Sequence, residues 1–301
     1  MQVLITVIAI IALVIILIIY LGNFAFRLAL TRGDEKMQQR LPGRIQEYPN
    51  NGWLDANTTK VILESDDGLK LAGFLHDAGT GRFAVLCHGY RGDRYMLDLP
   101  AQKFSEMGLG VLALDARGHG ASEGKYIGMG WPERRDLIKW CRKLIADYGE
   151  NIEIVLYGVS MGAATVLLAG GEEDLPENVK CIVEDCGFSE LWKQAAHLLK
   201  MFYSLPPFPV VYMIDGVCRR KAGYSIKQVN PVEAVKKCRV PVLFIHGALD
   251  NFVPFYMQDV LYDAAVCPKE KQIFGQAAHA QSFKTEPDRY FEMIRAFIGQ
   301  D

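Results

Sequence analysis

The chain has 301 residues, 33 Lys and Arg against 35 Asp and Glu, and a formal charge of −2 at pH 7. That length allows one domain of roughly 250 residues plus an extension, and the balanced, scattered charge excludes the basic face of a nucleic-acid binder. Seven cysteines cannot all pair with one another, and no CxxC or Cys/His cluster has zinc spacing. Unpaired cysteines fit a reducing compartment better than an oxidising one.

Val3 to Leu21 is almost wholly Val, Ile, Leu and Ala, with no charged side chain before Arg27. This is long enough to cross a bilayer as a helix. No basic residue precedes the run and no small-x-small cleavage site follows it, which argues against a removed leader. A soluble core helix would show a polar side. Residues 1–26 are therefore expected to be a retained, single-pass anchor. Arg27, Arg32, Lys36, Arg40 and Arg44 all follow it, so the positive-inside rule puts the rest of the chain in the cytoplasm. Residues 27–59, polar, with Pro42, Pro49 and an Asn50-Asn51-Gly52 turn, are expected to connect the anchor to a domain spanning 60–301.

Val61-Ile62-Leu63 and Leu71 to Leu75 flank Asp66-Asp67-Gly68, the pattern of a hairpin. Phe83 to Cys87 is a short buried-type strand ending in His88-Gly89-Tyr90-Arg91-Gly92-Asp93, with a helix near Leu97 to Met107. The strand Gly110 to Leu114 leads into the Gly-rich segment Asp115 to Gly124. Gly108 to Ala113 loosely fits a dinucleotide fingerprint, but it enters a strand instead of joining strand to helix, so it is rejected. Trp131 to Tyr148 has the spacing of an amphipathic helix.

Ile154 to Tyr157, Gly158-Val159-Ser160-Met161-Gly162 and Ala163 to Ala169 read as strand, sharp turn and helix, the setting of a nucleophile elbow. Cys181 and Cys186 lie around the next strand, Lys180 to Glu184, and five-residue spacing places them on opposite faces. From about 188 to 230 the rhythm breaks into an apolar, Pro-punctuated insert, expected to be a small helical lid. A strand at Val240 to Ile245, a helix near Phe255 to Ala265, a strand near Lys271 to Phe274 and a helix from about Glu286 to Ile298 complete the chain. Alternating strands and helices imply a mostly parallel, doubly wound α/β sheet with helices on both faces.

A serine hydroxyl needs a base, and the base an orienting acid. With the elbow on an α/β sheet the chain order is Ser, acid, His. Of the six histidines only His279 follows every acid placed at a strand end. Asp250, four residues beyond His246, is the favoured acid, and Asp185 is its rival; Asp259 and Asp263 fall on a helix. His88, His119 and His246 are expected to pack and anchor loops. Backbone N–H groups of Met161, at the helix start, and Tyr90, in the loop after Phe83 to Cys87, are placed to meet a developing oxyanion. No pattern calls for a cofactor or a metal.

At His88-Gly89, Asp115 to Gly124 (DxRGHGxSxG), Gly158 to Gly162 (GxSxG), His246 to Pro254 (HGxxDxxVP) and His279, the chain resembles the α/β-hydrolase superfamily. More narrowly it is similar to bacterial serine hydrolases related to serine aminopeptidases, acyl thioesterases and lysophospholipase-like enzymes. The resemblance runs from about Lys60 to the C-terminus. It implies Ser160 as nucleophile, Asp250 as acid, His279 as base, and Tyr90 and Met161 as oxyanion donors. Serine at the elbow argues against dehalogenase or epoxide hydrolase chemistry, and an HGGG loop is absent. The expected activity is cleavage of an ester or thioester of a hydrophobic acyl substrate beside the membrane. A peptidase or amidase, and a membrane-tethered binding module without turnover, are the alternatives. Arg219-Arg220-Lys221 would meet a phosphate-bearing group or be a solvated basic run.

Overall fold

The computed structural model of the protein describes residues 1–33 and 50–299; Lys36, Arg40, Arg44, Pro42 and Pro49 lie outside them. Eight strands form one sheet: β1 (Thr59–Glu64), β2 (Lys70–His76), β3 (Arg82–Cys87), β4 (Gly110–Leu114), β5 (Glu153–Val159), β6 (Val179–Asp185), β7 (Val242–Gly247) and β8 (Lys269–Phe274). Their order is β1-β2-β4-β3-β5-β6-β7-β8. The first two pair antiparallel with their neighbours, and every pair from β4 onward is parallel.

The central strands are apolar along their whole length because helices cover both faces. On one face Leu86, Ala113, Tyr157 and Val183 pack with Phe104, Phe283 and Ile294. On the other, Val85, Leu112, Leu156 and Phe244 pack with Trp140, Leu144 and Leu167. The covering helices are α3 (Asp98–Glu106), α4 (Glu133–Tyr148), α5 (Met161–Gly170), α9 (Tyr256–Ala264), the short α10 (Ser282–Thr285) and α11 (Pro287–Phe297). The expected mostly parallel α/β sheet is what the chain forms.

The lid region consists of α6 (Leu191–Tyr203) and α7 (Val210–Lys221), with the short α8 (Pro231–Val235) returning the chain to β7. Beneath it lies a third apolar cluster that includes Phe188, Leu191, Val211, Val217, Phe26 and Leu30. The last two belong to α1 (Gln2–Leu30). This apolar helix does not stop at residue 26, and its final turns pack on α7 and, through Phe26 against Tyr126, on the loop after β4. Residues 2–21 are exposed on every side. Thr31 then bridges to Tyr126, and the Arg32 guanidinium donates to the carbonyls of Ser122 and Gly120. Thr31 and Arg32 therefore lie against the domain directly after α1. A five-residue helix absent from the sequence reading, α2 (Trp53–Asn57), starts at Gly52 with φ +78°. Its start is held by Asp98, whose carboxylate accepts from the amides of Asn51 and Leu54 at 2.7 Å each.

All seven cysteines are buried and unpaired. Cys181 and Cys186 do not fall on opposite sides of the sheet: both join the same core. Strand β6 ends at Asp185, and Cys186 takes a left-handed φ of +53°, which turns its side chain back toward Cys181's face.

Candidate active site

The C-terminal ends of the parallel strands carry the polar groups. At the end of β5 the backbone must reverse into α5 within one residue. Ser160 does so at φ +57°, ψ −112°, a region that non-glycine residues occupy only under strain. The surroundings hold it there. The Ser160 amide donates to the Asp185 carbonyl at 2.8 Å and its carbonyl accepts from the Ala164 amide at 3.0 Å. A Cβ on Gly158 would sit 2.2 Å from the Gly162 oxygen, and one on Gly162 would sit 2.0 Å from the Cys87 oxygen. Only glycine at both positions lets α5 lie this close to β3 and β5.

Opposite the elbow, the loops after β7 and β8 supply an acid and an imidazole. His279 Nδ1 donates to Asp250 Oδ2 at 2.7 Å, and Ser160 Oγ donates to His279 Nε2 at 2.8 Å. These directions follow from the carboxylate, which accepts only. Asp250 is 3 % exposed. Burial alone would raise its carboxyl, but hydrogen bonds from His246 and His279 outweigh burial and hold it down at about 2. Its second oxygen, Oδ1, accepts from the amides of Phe252 and Val253 at 2.9 Å each. The Phe252 ring lies against His279, centroid to centroid 4.8 Å.

The rival acid is elsewhere. Asp185 accepts from the Tyr290 hydroxyl at 3.0 Å and from Ser282 Oγ at 3.3 Å, whereas the carboxylate on His279 Nδ1 is that of Asp250. Burial pushes its carboxyl up to about 6. His246, expected to pack and anchor its loop, does so by donating from Nε2 to the Val253 carbonyl at 3.0 Å, and the same nitrogen lies 3.2 Å from Asp250 Oδ2. Its four-residue spacing to Asp250 at a strand end was the available signal. Among the described residues, Cys186, Asp250 and His279 have potential ligand atoms within 4.8 Å of one another. Two of the three, Asp250 and His279, are already hydrogen-bonded to one another in the relay to Ser160.

Tyr90 and Met161 flank Ser160 in one cavity, with Met161 the first residue of α5. The loop carrying Tyr90 is fixed by two buried imidazoles. His88 Nε2 accepts from the Ala116 amide at 3.0 Å, and His119 Nε2 accepts from the Arg91 amide at 3.2 Å. Burial, with His88 alongside, lowers His119 to about 3, so it acts as a neutral hydrogen-bonding strut.

The cavity over Ser160 measures about 390 Å³. Leu191, Leu198, Leu199 and Phe202 of α6, Val211 and Ile214 of α7, and Phe24, Leu28 and Ala29 of α1 line it. No Asp or Glu is among the described lining residues. Two of its polar atoms are buried without a partner, Arg91 Nε and Gln194 Oε1. Arg219, Arg220 and Lys221 lie at the end of α7, outside this lining, with Arg219 bound to Asp215 at 2.8 Å.

Residues 81–205 match the sequence model of the serine aminopeptidase family S33. A 31.7 kDa Escherichia coli protein from the traX-finO intergenic region is 33 % identical over 260 residues, spanning 72 % of this chain and 88 % of that protein. Bacillus subtilis YqkD is 29 % identical over 248 residues, 80 % of this chain and 79 % of its own. Among solved structures, the Pyrococcus furiosus esterase Pf2001 superposes with a TM-score of 0.69 at 25 % identity, covering 85 % of this chain and 96 % of that one.

Proposed function

The chain belongs to the α/β-hydrolase superfamily of serine hydrolases, and on that premise we propose that it cleaves acyl esters or thioesters through Ser160, His279 and Asp250. The observation that carries this reading is the relay of two short hydrogen bonds, 2.8 Å and 2.7 Å, opening into an apolar cavity. Ser160 Oγ attacks the acyl carbonyl while its proton passes to His279 Nε2. Asp250, ionised, fixes the Nδ1–H tautomer and stabilises the imidazolium without taking the proton. The N–H groups of Tyr90 and Met161 receive the oxyanion. The imidazolium then protonates the leaving alcohol or thiol, and water, deprotonated by His279, releases the acid from the acyl-enzyme.

The reading places α1 in the membrane as a retained anchor with the domain on the cytoplasmic side, supported by the apolar run and by Arg27 and Arg32 beyond it. A peptidase is the second reading, favoured by the S33 match. A pocket for a free amino terminus needs a carboxylate, however, and the described lining has none.

The test uses the full chain in detergent micelles. A fluorophosphonate probe should label wild type and not Ser160→Ala, and p-nitrophenyl esters should turn over with rates that rise with acyl length. An intact protein that takes no label would leave a binding module on a hydrolase fold as the surviving interpretation.

A further inference from the structure

Acceptance of the serine-hydrolase reading leaves open where the acyl chain comes from. The wall of the cavity answers this. One side is built from the last turns of α1, by Phe24, Ala25, Leu28 and Ala29, so the same helix that is exposed and apolar from residue 2 to residue 21 becomes part of the substrate site. Those 20 residues span ~30 Å at 1.5 Å each, the thickness of a bilayer's hydrocarbon core. Phe24 lies three residues beyond Leu21, ~5 Å further along the axis. The acyl cavity thus begins within one helical turn of the point where α1 would leave the hydrocarbon.

This arrangement is fixed and not the loose end of a tether. Gly22 lies against Met213 of α7, where an added Cβ would be 3.2 Å from the Met213 Cβ. The Ala29 carbonyl accepts from the Tyr90 hydroxyl at 2.5 Å, and the Leu28 carbonyl accepts from Arg91. The lid beside α1 also exposes Leu205, Phe208 and Tyr212, Phe208 at 68 %. Exposed aromatic and aliphatic groups on an element packed against a membrane helix match the interfacial belt of membrane proteins. Arg27, Lys125 and Lys221 line a second cavity on α1, cations at the depth where headgroups lie.

Building on the reading above, we infer that α1 is a wall of the acyl-binding site and that the substrate is a long-chain acyl ester resident in the bilayer, entering the cavity laterally along α1. A chain so delivered moves from hydrocarbon to an apolar cavity without crossing water, and the carbonyl arrives at Ser160 while the tail remains against Phe24 and Leu28.

The experiment uses the full chain in phosphatidylcholine vesicles, with p-nitrophenyl palmitate as the long-chain probe and p-nitrophenyl butyrate as the water-borne one. Palmitate ester dissolved in the enzyme's own vesicles should be hydrolysed at least tenfold faster than the same amount supplied in separate, enzyme-free vesicles. Ala25→Trp, which fills the α1 side of the cavity, should lower the palmitate-to-butyrate rate ratio about tenfold. Fluorophosphonate labelling of Ser160 in the variant reports that the site is still assembled. Equal palmitate rates from the two vesicle arrangements would overturn the inference in favour of uptake from water. An unchanged ratio in a labelled Ala25→Trp would overturn the role of α1. Absence of labelling in wild type would instead remove the hydrolase reading on which the inference rests.

Discussion

His246 and Asp250, four residues apart, meet at 3.2 Å through Nε2 and Oδ2, on the same carboxylate oxygen that receives His279. With the two amides on Oδ1, three hydrogen bonds hold the carboxylate, and His246 Nε2, which donates to the Val253 carbonyl at 3.0 Å, lies beside it. Losing that imidazole leaves the buried charge short of a polar neighbour. His246→Leu should lower kcat about tenfold, ~1.4 kcal/mol, with KM little changed. His246→Gln, which retains an N–H, should recover most of that loss. A His246→Leu enzyme with reduced stability but unchanged kcat would make the residue purely structural.

The two carboxylates separate cleanly by substitution. Asp250→Asn should cut kcat by roughly 10³–10⁴, because the amide can present an N–H to His279 and favour the wrong tautomer. Asp185→Asn should leave kcat within about threefold, ~0.6 kcal/mol, since Asp185 bonds Tyr290 and Ser282. Steady-state kinetics on the pair decides it, and the reverse ranking would reinstate Asp185 as the acid.

Glu184 is fully buried and accepts from the Gly187 amide at 2.9 Å. Burial pushes its carboxyl up from 4.5 to about 8, against the opposing pull of His246. A folded state that holds this proton more tightly than the unfolded chain loses stability as pH rises from 4.5 to 8. Glu133, pushed up to about 7, acts with the same sign. Glu184→Gln removes one such titration. Its unfolding free energy in urea should therefore gain on wild type between about pH 5 and pH 8, by about 4 kcal/mol at the upper end. A constant offset across that range would show that Glu184 does not titrate there.

Gly162→Ala drives a methyl to 2.0 Å from the Cys87 oxygen and 2.8 Å from the His88 oxygen. Backbone atoms cannot yield as a side chain does. The variant should lose on the order of 3 kcal/mol of stability and disturb the Tyr90 loop, lowering probe labelling. Gly216→Ala, in open space within α7, should instead gain about 0.5–1 kcal/mol. Urea unfolding of both measures the contrast.

The sheet was legible because central strands buried on both faces read as short apolar runs, and Gly158 and Gly162 around Ser160 marked the elbow. Chain order singled out His279, and the structure brings it to Ser160 and Asp250. Three features were not legible for physical reasons. A helix apolar on all sides shows no preferred face, so the packing of Phe26 and Leu30 onto the domain left only their four-residue spacing as a trace. Helix α2 is too short for a periodic pattern, and its start is held by Asp98, distant in sequence. Cys186 joins Cys181's side of the core through a left-handed backbone angle that strand alternation does not anticipate.

The seven sealed thiols give the protein its own opening reporters. Cys218 lies on the buried side of the lid helix α7, in one apolar cluster with Phe26 and Leu30, whereas Cys181 and Cys186 lie in the sheet's core. A thiol reagent reaches each only when its surroundings part. The order in which the sulfurs react therefore records which part of the molecule breathes first, with separation of the lid from α1 read at Cys218 and collapse of the sheet read at the other two.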